Sequence, residues 1–367
     1  MNKIDYDIHG IVGIRLINPT QTDADFIDDK LNKFRKNLER DPDIVFSFKE
    51  NLDLGPFNYL GLDALFTEDS FYAVSKKENL KIKIPFDTIG DKSEFIVESG
   101  SYDIPWLFDI INLTFLKKKF IPMHSTAFMM NNSGIMVIGW SKGGKTESLM
   151  AFANHNAHYV GDEWIMLSGD GSKMYGIPVP ICLWEWQFEH IPKLLPKIGI
   201  QRKILFKGIH FLNYIHKLIK KSALERSFIA SIFNKALPPF NKQLNIRVTP
   251  EKIFQERQKS SANLDKIILS FSHNSHDYKL IESDYKELAK HAFYSNTYEQ
   301  SEFLNMYRAY KFAFPEGKND FLENINEFQY SLIMEAFKNK ETYKFFHPYP
   351  LKFEDMYSHL KHLADNN

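Results

Sequence analysis

Cysteine is almost absent from this sequence, since Cys182 is the only one among 367 residues. An intramolecular disulfide is therefore impossible, which suits a reducing compartment, and we expect a cytoplasmic protein. The lone thiol is interpreted as a core residue rather than as a nucleophile. The sequence also has no apolar run of about eighteen residues and no apolar signal region near its start, so we expect neither a transmembrane helix nor a signal peptide.

Net charge is absent as well, because 46 Lys and Arg residues balance 46 Asp and Glu residues. The overall charge therefore argues neither for nor against a nucleic-acid partner. Apolar residues make up 44% of the chain and charged residues 25%, which is the usual composition of a globular protein. A chain of this length can hold two or three domains with a substantial core.

The strongest positive signal lies at residues 139–146, which read Gly-Trp-Ser-Lys-Gly-Gly-Lys-Thr. This stretch fits the phosphate-binding loop pattern G-x-x-x-x-G-K-[ST], in which backbone N–H groups surround a phosphate. The apolar run at 135–138 predicts a buried strand before the loop, and 146–154 predicts a helix after it. A strand, a glycine-rich turn and a helix start together point N–H groups at an anion. We therefore expect ATP and Mg²⁺ at this loop.

The residues predicted to bind the nucleotide form one continuous segment around this loop. They are Gly139, Ser141, Lys142, Gly143, Gly144, Lys145, Thr146 and Glu147. Within the pattern, Lys145 would reach the β- and γ-phosphates, and the hydroxyl of Thr146 would hold Mg²⁺. The alternative is a glycine-rich turn that binds nothing.

An acidic pair follows the next predicted strand. Residues 158–160 read as that strand, and Asp162 and Glu163 come at its carboxyl end. Ligands of open α/β sheets bind at the carboxyl ends of strands, so a carboxylate here would face the phosphate loop. It could hold Mg²⁺ through water or accept a proton from an attacking hydroxyl. The alternative is a pair of solvated acids at a turn.

These motifs together resemble the C-terminal catalytic domain of the HPr kinase/phosphorylase family. That family carries a histidine, then a G-x-S-G-x-G-K-[ST]-E loop, then an Asp-Asp pair. His124, residues 139–147 and the pair Asp162-Glu163 take these places here with the family's spacing, over about forty residues. The resemblance implies an α/β fold with the mixed-sheet P-loop domain of the phosphoenolpyruvate carboxykinase superfamily, not a Ras-like or RecA-like one.

The resemblance also implies roles for single residues. Asp162 would be the general base toward a substrate hydroxyl, Lys145 would bind phosphate, and His124 would lie at the floor of the active site. The residues expected around the metal are Thr146, Glu147, Asp162 and Glu163. Members of the family are often oligomeric, so the resemblance is compatible with a homo-oligomer.

Three features depart from the family's pattern. Lys142 stands where the family usually has glycine, which adds a cation and removes backbone freedom. Glu163 replaces the second aspartate, and the family's later R-G-L-G-type signature, which supports phosphorolysis and docking of the protein substrate, has no counterpart. The apparatus for phosphoryl transfer is therefore predicted, whereas the acceptor and any reverse phosphorylase reaction stay open.

Around this segment we predict three regions. Residues 1–118 would form an α+β N-terminal domain, 119–275 the P-loop domain, and 276–367 a mainly helical C-terminal region. Predicted strands of the first region lie at 10–17, 43–48, 71–74 and 95–97, and its helices at 22–38 and 106–118. Predicted helices of the last region lie at 284–293, 298–312, 321–338 and 353–363. The acids of the first helix, Asp23, Asp25, Asp28 and Asp29, are interpreted as solvated, and His347 as structural.

Further local patterns complete the predicted P-loop domain. Residues 164–167 and 173–176 flank Asp170-Gly171 and predict a hairpin, which suits a mixed sheet. Residues 266–271 predict a strand that closes the sheet. Trp184, Trp186 and Phe188 alternate with polar residues, and this stripe is interpreted as core, with base stacking or substrate contact as the alternative.

A basic segment interrupts this domain. Residues 193–247 contain twelve Lys or Arg residues and one acid, Glu225, with apolar residues at helical spacing. This predicts a basic helical insertion at about 191–247. Its helices could pack on the core with solvated lysines, dock an anionic protein or small substrate, or lie on an anionic membrane surface. Nucleic acid is the least favoured partner.

Two functions from different classes follow. The first is an ATP-dependent phosphotransferase that moves the γ-phosphoryl group to a hydroxyl of a protein or small-molecule acceptor. The second is a nucleotide-gated binding or regulatory module whose basic helices dock an acidic partner or a membrane surface. A carboxykinase-like enzyme acting on a small carboxylate is the least supported reading, because no decarboxylase metal set is evident.

Overall fold

The computed structural model describes residues 2–74, 80–100, 104–221 and 227–365. Glu225 and Arg226 of the basic segment lie outside the described residues. Within the described residues, the chain forms an α/β fold built on two large mixed sheets, with a two-stranded ribbon in addition. This confirms the α/β class.

The N-terminal sheet has eight strands among the described residues, and they pair in the order β1-β2-β3-β8-β7-β6-β5-β4. The strands are β1 (Lys3–Ile8), β2 (Val12–Ile17), β3 (Ile44–Lys49), β4 (Asn58–Leu60), β5 (Ala64–Phe66), β6 (Phe71–Val74), β7 (Lys81–Lys83) and β8 (Ser93–Glu98). Helices α1 (Gln21–Leu31) and α2 (Leu107–Lys117) accompany this sheet. The mixture of helix and strand expected for residues 1–118 is observed, although β1, β4, β5 and β7 were not predicted.

The first helix is shorter than predicted and its acids are not all solvated. It ends at Leu31 and passes through a 3₁₀ turn (Asn32–Phe34), after which Lys36 N–H donates to the Asp5 carbonyl and returns the chain to β1. Asp23 is buried, contrary to the prediction. It accepts from the backbone N–H and hydroxyl of Thr20 in a capping box at the helix start.

The second sheet carries the phosphate loop. Its strands among the described residues, together with those of the ribbon, are β9 (Phe120–Met130), β10 (Ser133–Gly139), β11 (His158–Gly161), β12 (Trp164–Ser168), β13 (Lys173–Gly176), β14 (Ile181–Trp184), β15 (Asn245–Val248), β16 (Ser261–Asn263), β17 (Lys266–His273), β18 (Lys279–Glu282) and β19 (Glu341–Pro348). The order is β16-β13-β12-β9-β10-β17-β19-β18, with β11 also paired to β9, while β14 and β15 form the separate ribbon.

The second sheet is mixed, as the hairpin pattern predicted. Strand β10 runs antiparallel to β9 and parallel to β17, and β12 and β13 form the expected antiparallel hairpin. Gly171 in its turn has φ +70°, which suits the predicted Asp-Gly turn. The prediction that β17 closes the sheet is wrong, because β17 also pairs with β19 and β18 lies beyond that strand. Strands β18 and β19 were not predicted.

Helices cover both faces of the second sheet. The remaining helices are α3 (Lys145–Ala153), α4 (Ile200–Lys220), α5 (Phe228–Asn241), α6 (Pro250–Phe254), α7 (Tyr285–Glu299), α8 (Ser301–Ala313), α9 (Asp320–Glu323), α10 (Ile325–Phe337) and α11 (Phe353–Leu360). Ile135 and Val137 pack with α3 and α11, whereas Met136 and Ile138 pack with α7 and α10. Because successive residues of a strand face opposite sides, β10 is buried on both faces.

The C-terminal helices also join the two sheets. Phe303 and Tyr307 of α8 and Phe321 of α9 belong to the same core as the N-terminal strands. Phe86, which follows β7, lies against this cluster with ring centroids 5.6 Å from Phe303 and from Tyr307. The last region therefore contributes to the N-terminal core as well as to the sheet that carries the phosphate loop.

The basic helices are inserted between the two strands of the ribbon. Strand β14 precedes α4 and α5, and β15 follows them and pairs with β14 in antiparallel register. Within α4 only Phe206 and Ile209 are buried, while several of its large apolar residues are exposed. Packing on the core therefore accounts for only part of the apolar pattern of this insertion.

The hairpin between β12 and β13 generates a first prediction. A Cβ at Gly171 would lie 2.0 Å from the carbonyl oxygen of Ala336 at the end of α10, and the residue already has a positive φ. We expect Gly171→Ala to lower the stability by about 1–3 kcal/mol, because both the conformation and the contact oppose a side chain. Thermal or urea denaturation measures this change.

Gly208 of α4 is the matched control, because a Cβ there would meet nothing within 4 Å. Gly208→Ala should leave the midpoint unchanged or raise it, since alanine favours helix over glycine by up to about 1 kcal/mol. Equal midpoints for the two variants would contradict the close approach of the hairpin to α10.

Candidate functional site

The phosphate loop connects the end of β10 to the start of α3. The Gly143 N–H donates to the Trp140 carbonyl at 3.0 Å and closes the turn. Gly144 has φ +94°, and a Cβ there would lie 2.3 Å from Nε2 of His347. Only glycine fits this position, because both the backbone angle and the space exclude a side chain.

Lys142 adopts a left-handed conformation with φ +63°. Such an angle is uncommon for a residue other than glycine, asparagine or aspartate and costs conformational energy. This is the position where the resembling family usually has glycine. The structure therefore keeps the glycine-like backbone of the loop and adds an exposed cation, whose Nζ lies 5.8 Å from the ring centroid of Trp184.

His347 supports the loop from the end of β19. The side chain is fully buried, and its Nε2 lies 3.1 Å from the Gly143 carbonyl oxygen. Its Nδ1 lies 2.9 Å from the Pro348 carbonyl oxygen, so both ring nitrogens face acceptors. The structural role predicted for this histidine is confirmed, and its target is the backbone of the phosphate loop.

Lys145 is buried at the start of α3. Its Nζ donates to the carbonyl oxygens of Gly139 at 3.0 Å and Trp140 at 3.1 Å. Burial lowers the pKa of Lys145, and the nearby carboxylates of Glu163 and Asp162 offset only part of that effect. The ammonium group is thus held at the loop by neutral acceptors that phosphate oxygens could replace.

The acidic pair lies in an interruption of the pairing along β9. Strands β11 and β12 both pair with β9 on the same side, and the register shifts between Tyr159 and Gly161. Asp162 and Glu163 occupy the gap between the two strands, and Glu163 has φ +71°. An irregularity of this kind disrupts the alternation of side chains along the strand and changes the direction in which a side chain points. The acids do follow β11, as predicted, but they lie in the middle of a long antiparallel pairing.

Asp162 faces the phosphate loop and is almost completely buried. The Thr146 hydroxyl lies 3.2 Å and 3.3 Å from its two carboxylate oxygens and donates to this carboxylate. Burial, together with the neighbouring charge of Glu163, raises the pKa of Asp162 to about 7. The alternative of two solvated acids is wrong for this residue.

His124 lies between two carboxylates. Its Nε2 is 3.3 Å from Oε2 of Glu163, and its Nδ1 is 3.1 Å from Oε1 of Glu299 at the end of α7. Burial lowers the pKa of His124, but the two glutamates raise it by more, so that the net shift is upward. The same contacts with His124 lower the pKa values of Glu163 and Glu299.

Glu147 in the first turn of α3 is held by Gln187. The Gln187 amide donates to Oε1 of Glu147 at 2.9 Å, and its carbonyl oxygen accepts from the Trp184 N–H at 2.9 Å. Burial raises the pKa of Glu147. Gln187 lies in a 3₁₀ helix (Glu185–Glu189) that directly follows β14. The phosphate-loop helix is thereby joined to the segment that leads into the basic insertion.

A cavity of about 370 Å³ brings most of the predicted residues together. Its lining includes His124, Ser141, Lys142, Lys145, Thr146, Glu147, Asp162 and Glu163. Gly139, Gly143 and Gly144 are buried in the loop backbone and do not line it. Small-molecule pockets usually measure roughly 300–1,000 Å³, so the cavity is large enough for part of a nucleotide.

Two tryptophans and the cysteine also line this cavity. The core interpretation is right for Phe188, which is buried, and right in part for Trp186, which packs against the core and also lines the cavity. It is wrong for Trp184, which forms part of the cavity wall. Cys182 is half-buried in the lining rather than in the core. Burial raises the pKa of the Cys182 thiol, which opposes a nucleophilic role.

The described residues contain no group of three or more His, Cys, Asp or Glu side chains arranged to hold a metal ion. Magnesium at a phosphate site needs less, because it is usually bound through one or two carboxylates, a hydroxyl, water and phosphate oxygens. Thr146 and Asp162 supply a hydroxyl and a carboxylate about 3.2 Å apart. These donors fit a magnesium ion that arrives with a nucleotide.

Sequence reasoning missed three residues of the site. Glu299, Gln187 and Tyr349 come from a helix end, a short 3₁₀ helix and the segment after β19. These residues are close to the loop only in the folded structure, and no local sequence pattern marks them.

Comparison with known proteins finds no family model that matches the chain and no curated protein with significant similarity to it.

The environment of His124 generates a second prediction. Glu163 and Glu299 raise the pKa of His124. The ion pairs of protonated His124 with these two glutamates therefore stabilise the folded protein fully when the pH is below about 6.5, the usual pKa of histidine. This contribution is lost as the pH rises through the raised pKa. We expect Glu299→Gln to lower the pKa of His124, as measured by NMR titration of the imidazole.

Glu302→Gln on α8 is the control, since it removes an exposed carboxylate one turn further along the chain. It should leave the titration of His124 nearly unchanged. A His124 pKa that is the same in Glu299→Gln and in the unchanged protein would show that the 3.1 Å contact does not act on the imidazole.

Proposed function

We propose that this protein is an ATP-dependent phosphotransferase, similar in its chemistry to HPr kinase, that moves the γ-phosphoryl group to a hydroxyl acceptor. The observation that carries the proposal is the contact of Thr146 with Asp162. It sets a buried carboxylate beside the residue of the phosphate loop that would hold the metal. A general base and a phosphate site within one cavity are the minimum for phosphoryl transfer to a hydroxyl.

In this proposal the loop residues bind the triphosphate. The backbone of Gly143 and Gly144 would surround the β-phosphate, and Lys145 would exchange its carbonyl contacts for phosphate oxygens. Bound magnesium would neutralise charge on the β- and γ-phosphates. The hydroxyl of Thr146 would be its direct ligand, and Glu147 and Glu163 would orient the surrounding water.

Asp162 would accept the proton of the acceptor hydroxyl. A general base works best with a pKa near the working pH, and the pKa of Asp162 is raised to about 7. His124 contacts Glu163 rather than Asp162, so its part in the proposal is to hold the second acid in place. The acceptor is a molecule whose hydroxyl can enter the cavity beside Trp184 and Trp186.

Replacement of the base generates a third prediction. Asp162→Asn should lower the rate of phosphoryl transfer by ~10²–10⁴-fold, because the amide cannot accept the proton. Nucleotide affinity should fall far less than the rate, since the loop and the Thr146 hydroxyl remain intact. Transfer by the unchanged protein should rise with pH through about 7, because the base acts in its ionised form.

The assay uses γ-labelled ATP and Mg²⁺ with a lysate of host cells as the source of acceptor, and calorimetry for nucleotide binding. Asp25→Asn on α1 is the matched control, because this aspartate is exposed and lies on the N-terminal domain. Lys145→Ala should abolish both binding and transfer. Parallel losses of binding and transfer in Asp162→Asn would refute the base role, and ATP binding without any transfer that depends on Lys145 would refute the enzyme.

A second candidate is a nucleotide-gated binding module, and the segment after β14 favours it. Gln187 contacts Glu147 on the side of the phosphate loop, while Glu185 Oε2 lies 2.5 Å from Nε2 of His210 in α4. This short 3₁₀ helix therefore contacts both the nucleotide cavity and the basic insertion. Movement at the loop could reach α4 through these contacts.

This candidate generates a fourth prediction. ATP should change hydrogen–deuterium exchange in both the loop and α4, and Glu185→Gln should reduce only the response of α4, because it removes the charge that pairs with His210. Glu354→Gln on α11, which removes the carboxylate that contacts His155, is the matched control. Protection of the loop by ATP with an unchanged α4 would contradict nucleotide gating of this helix.

A further inference from the structure

Helix α4 carries a stripe of exposed apolar side chains that is interrupted near its middle by Lys207. Its members are Ile200, Ile204, Phe211, Tyr214 and Leu218, which are 50–74% exposed. Their spacings of four, seven, three and four residues bring them to one side of the helix. Single exposed apolar residues need no explanation, but five on one side of a helix mark an interaction surface.

The opposite side of α4 makes the contacts with the protein. Phe206 and Ile209 are its buried residues. Asn213 Nδ2 donates to Oδ1 of Asn241 in α5 at 2.7 Å, and His216 Nε2 lies 2.9 Å from Oδ1 of Asn234. The stripe therefore points away from α5 and from the core.

The charged residues within α4 and α5 have one sign. The exposed Lys203, Lys207 and Lys221 flank the stripe by helical spacing, and the first two also line a groove that contains Glu185 and Glu189. Helices α4 and α5 contain no aspartate or glutamate. Lysine side chains can extend past an apolar surface and keep their ammonium groups in a polar layer. An anionic layer above an apolar one complements this arrangement.

We propose that α4 docks the protein on the surface of an anionic lipid bilayer, with the helix lying in the plane of the interface. The apolar stripe would enter the boundary between headgroups and acyl chains, and the lysines would contact anionic headgroups. A single convex helix with apolar side chains along its whole length fits a flat fluid surface. Charge alone would suit an acidic protein, but it would not require the apolar stripe.

Membrane contact of this kind does not require a helix that crosses the bilayer. Among the residues that the structure describes, no helix is both long and apolar enough to do so. The proposal is also independent of phosphoryl transfer, because the stripe residues do not line the nucleotide cavity. Its failure and the failure of the enzymatic proposal can therefore be told apart.

Vesicle sedimentation with the full chain tests the proposal. Vesicles of phosphatidylcholine with about 30% phosphatidylserine should bind the protein, and phosphatidylcholine alone should not. Binding should weaken as salt is raised, since screening reduces the attraction between lysines and headgroups. The double variant Phe211→Ser, Leu218→Ser should bind at least about tenfold more weakly, because two apolar anchors are lost.

The matched control is Phe228→Ser, Ile232→Ser on α5. These residues are also exposed, and they lie opposite the side on which α5 contacts α4 through Asn234 and Asn241. The control should bind vesicles as the unchanged protein does. Circular dichroism and nucleotide binding, which should be equal in all variants, establish that each is folded.

Four outcomes would overturn the proposal. Equal binding to neutral and anionic vesicles would remove the role of charge, and equal loss in the two double variants would remove the role of α4. A third is a dimer, found by analytical ultracentrifugation, that the α4 double variant dissociates while vesicle binding is absent. The stripe would then be an interface between two copies of the chain. Vesicle binding that is lost in Lys217→Glu, Lys221→Glu but kept in Phe211→Ser, Leu218→Ser would show attachment by charge alone and remove the role of the apolar stripe.

Discussion

The pairing of β9 with two successive strands is the constraint on which the candidate site depends. Strand β9 is long enough to pair with β11 along its second half and with β12 along its first half. The chain must therefore pass from one partner to the other while it stays beside β9. Ser125 N–H donates to the Glu163 carbonyl, and the Thr126 hydroxyl donates to the Gly161 carbonyl, which fixes this passage from both sides.

This passage determines where the charges lie. The other edge of β9 is paired with β10, whose end begins the phosphate loop, so the interruption faces the first turn of α3. Asp162 is thereby placed against Thr146, and Glu163 against His124. The left-handed backbone of Glu163 is a local cost that the surrounding pairing stabilises. Strained residues held in this way are commonly found at functional sites.

Charge balance within the site follows from burial. The carboxylates of Asp162, Glu163 and Glu299 lie near the cations Lys145 and His124, so acids outnumber bases. Two of the acids are stabilised by His124, and the pKa values of both are lowered. The most buried acid, Asp162, contacts Thr146 rather than His124, and its pKa is raised. Its negative charge is therefore disfavoured by burial, and a cation placed beside the carboxylate would stabilise the ionised form.

Local patterns predicted the parts of the site that local physics determines. The loop between β10 and α3 and the hairpin of β12 and β13 depend on glycine placement and on alternation within a few residues. Glu299, by contrast, reaches His124 only because α7 packs on the sheet, and no spacing in the sequence encodes that contact. Strand β19 pairs with β17 across many intervening residues, which include four helices.

Prediction from periodicity has a second limit, because it does not identify what a face of a strand or helix packs against. The alternation of Trp184 and Trp186 with polar neighbours is the same whether the inward side meets a core or a cavity. Asp23 belongs to a polar helix face by periodicity, yet its capping contact with Thr20 buries it. Periodicity therefore predicts which side chains share a face, whereas the partner of that face is decided by the rest of the fold.

The ribbon of β14 and β15 sets the relation between the cavity and the basic insertion. Because the two strands pair with each other, both ends of the insertion are held at one place, and Trp184 at the end of β14 forms part of the cavity wall. The 3₁₀ helix that follows it then contacts Glu147 through Gln187 and His210 through Glu185. The cavity and the exposed stripe of α4 are thus separate surfaces, and this 3₁₀ helix contacts both the helix that follows the loop and α4.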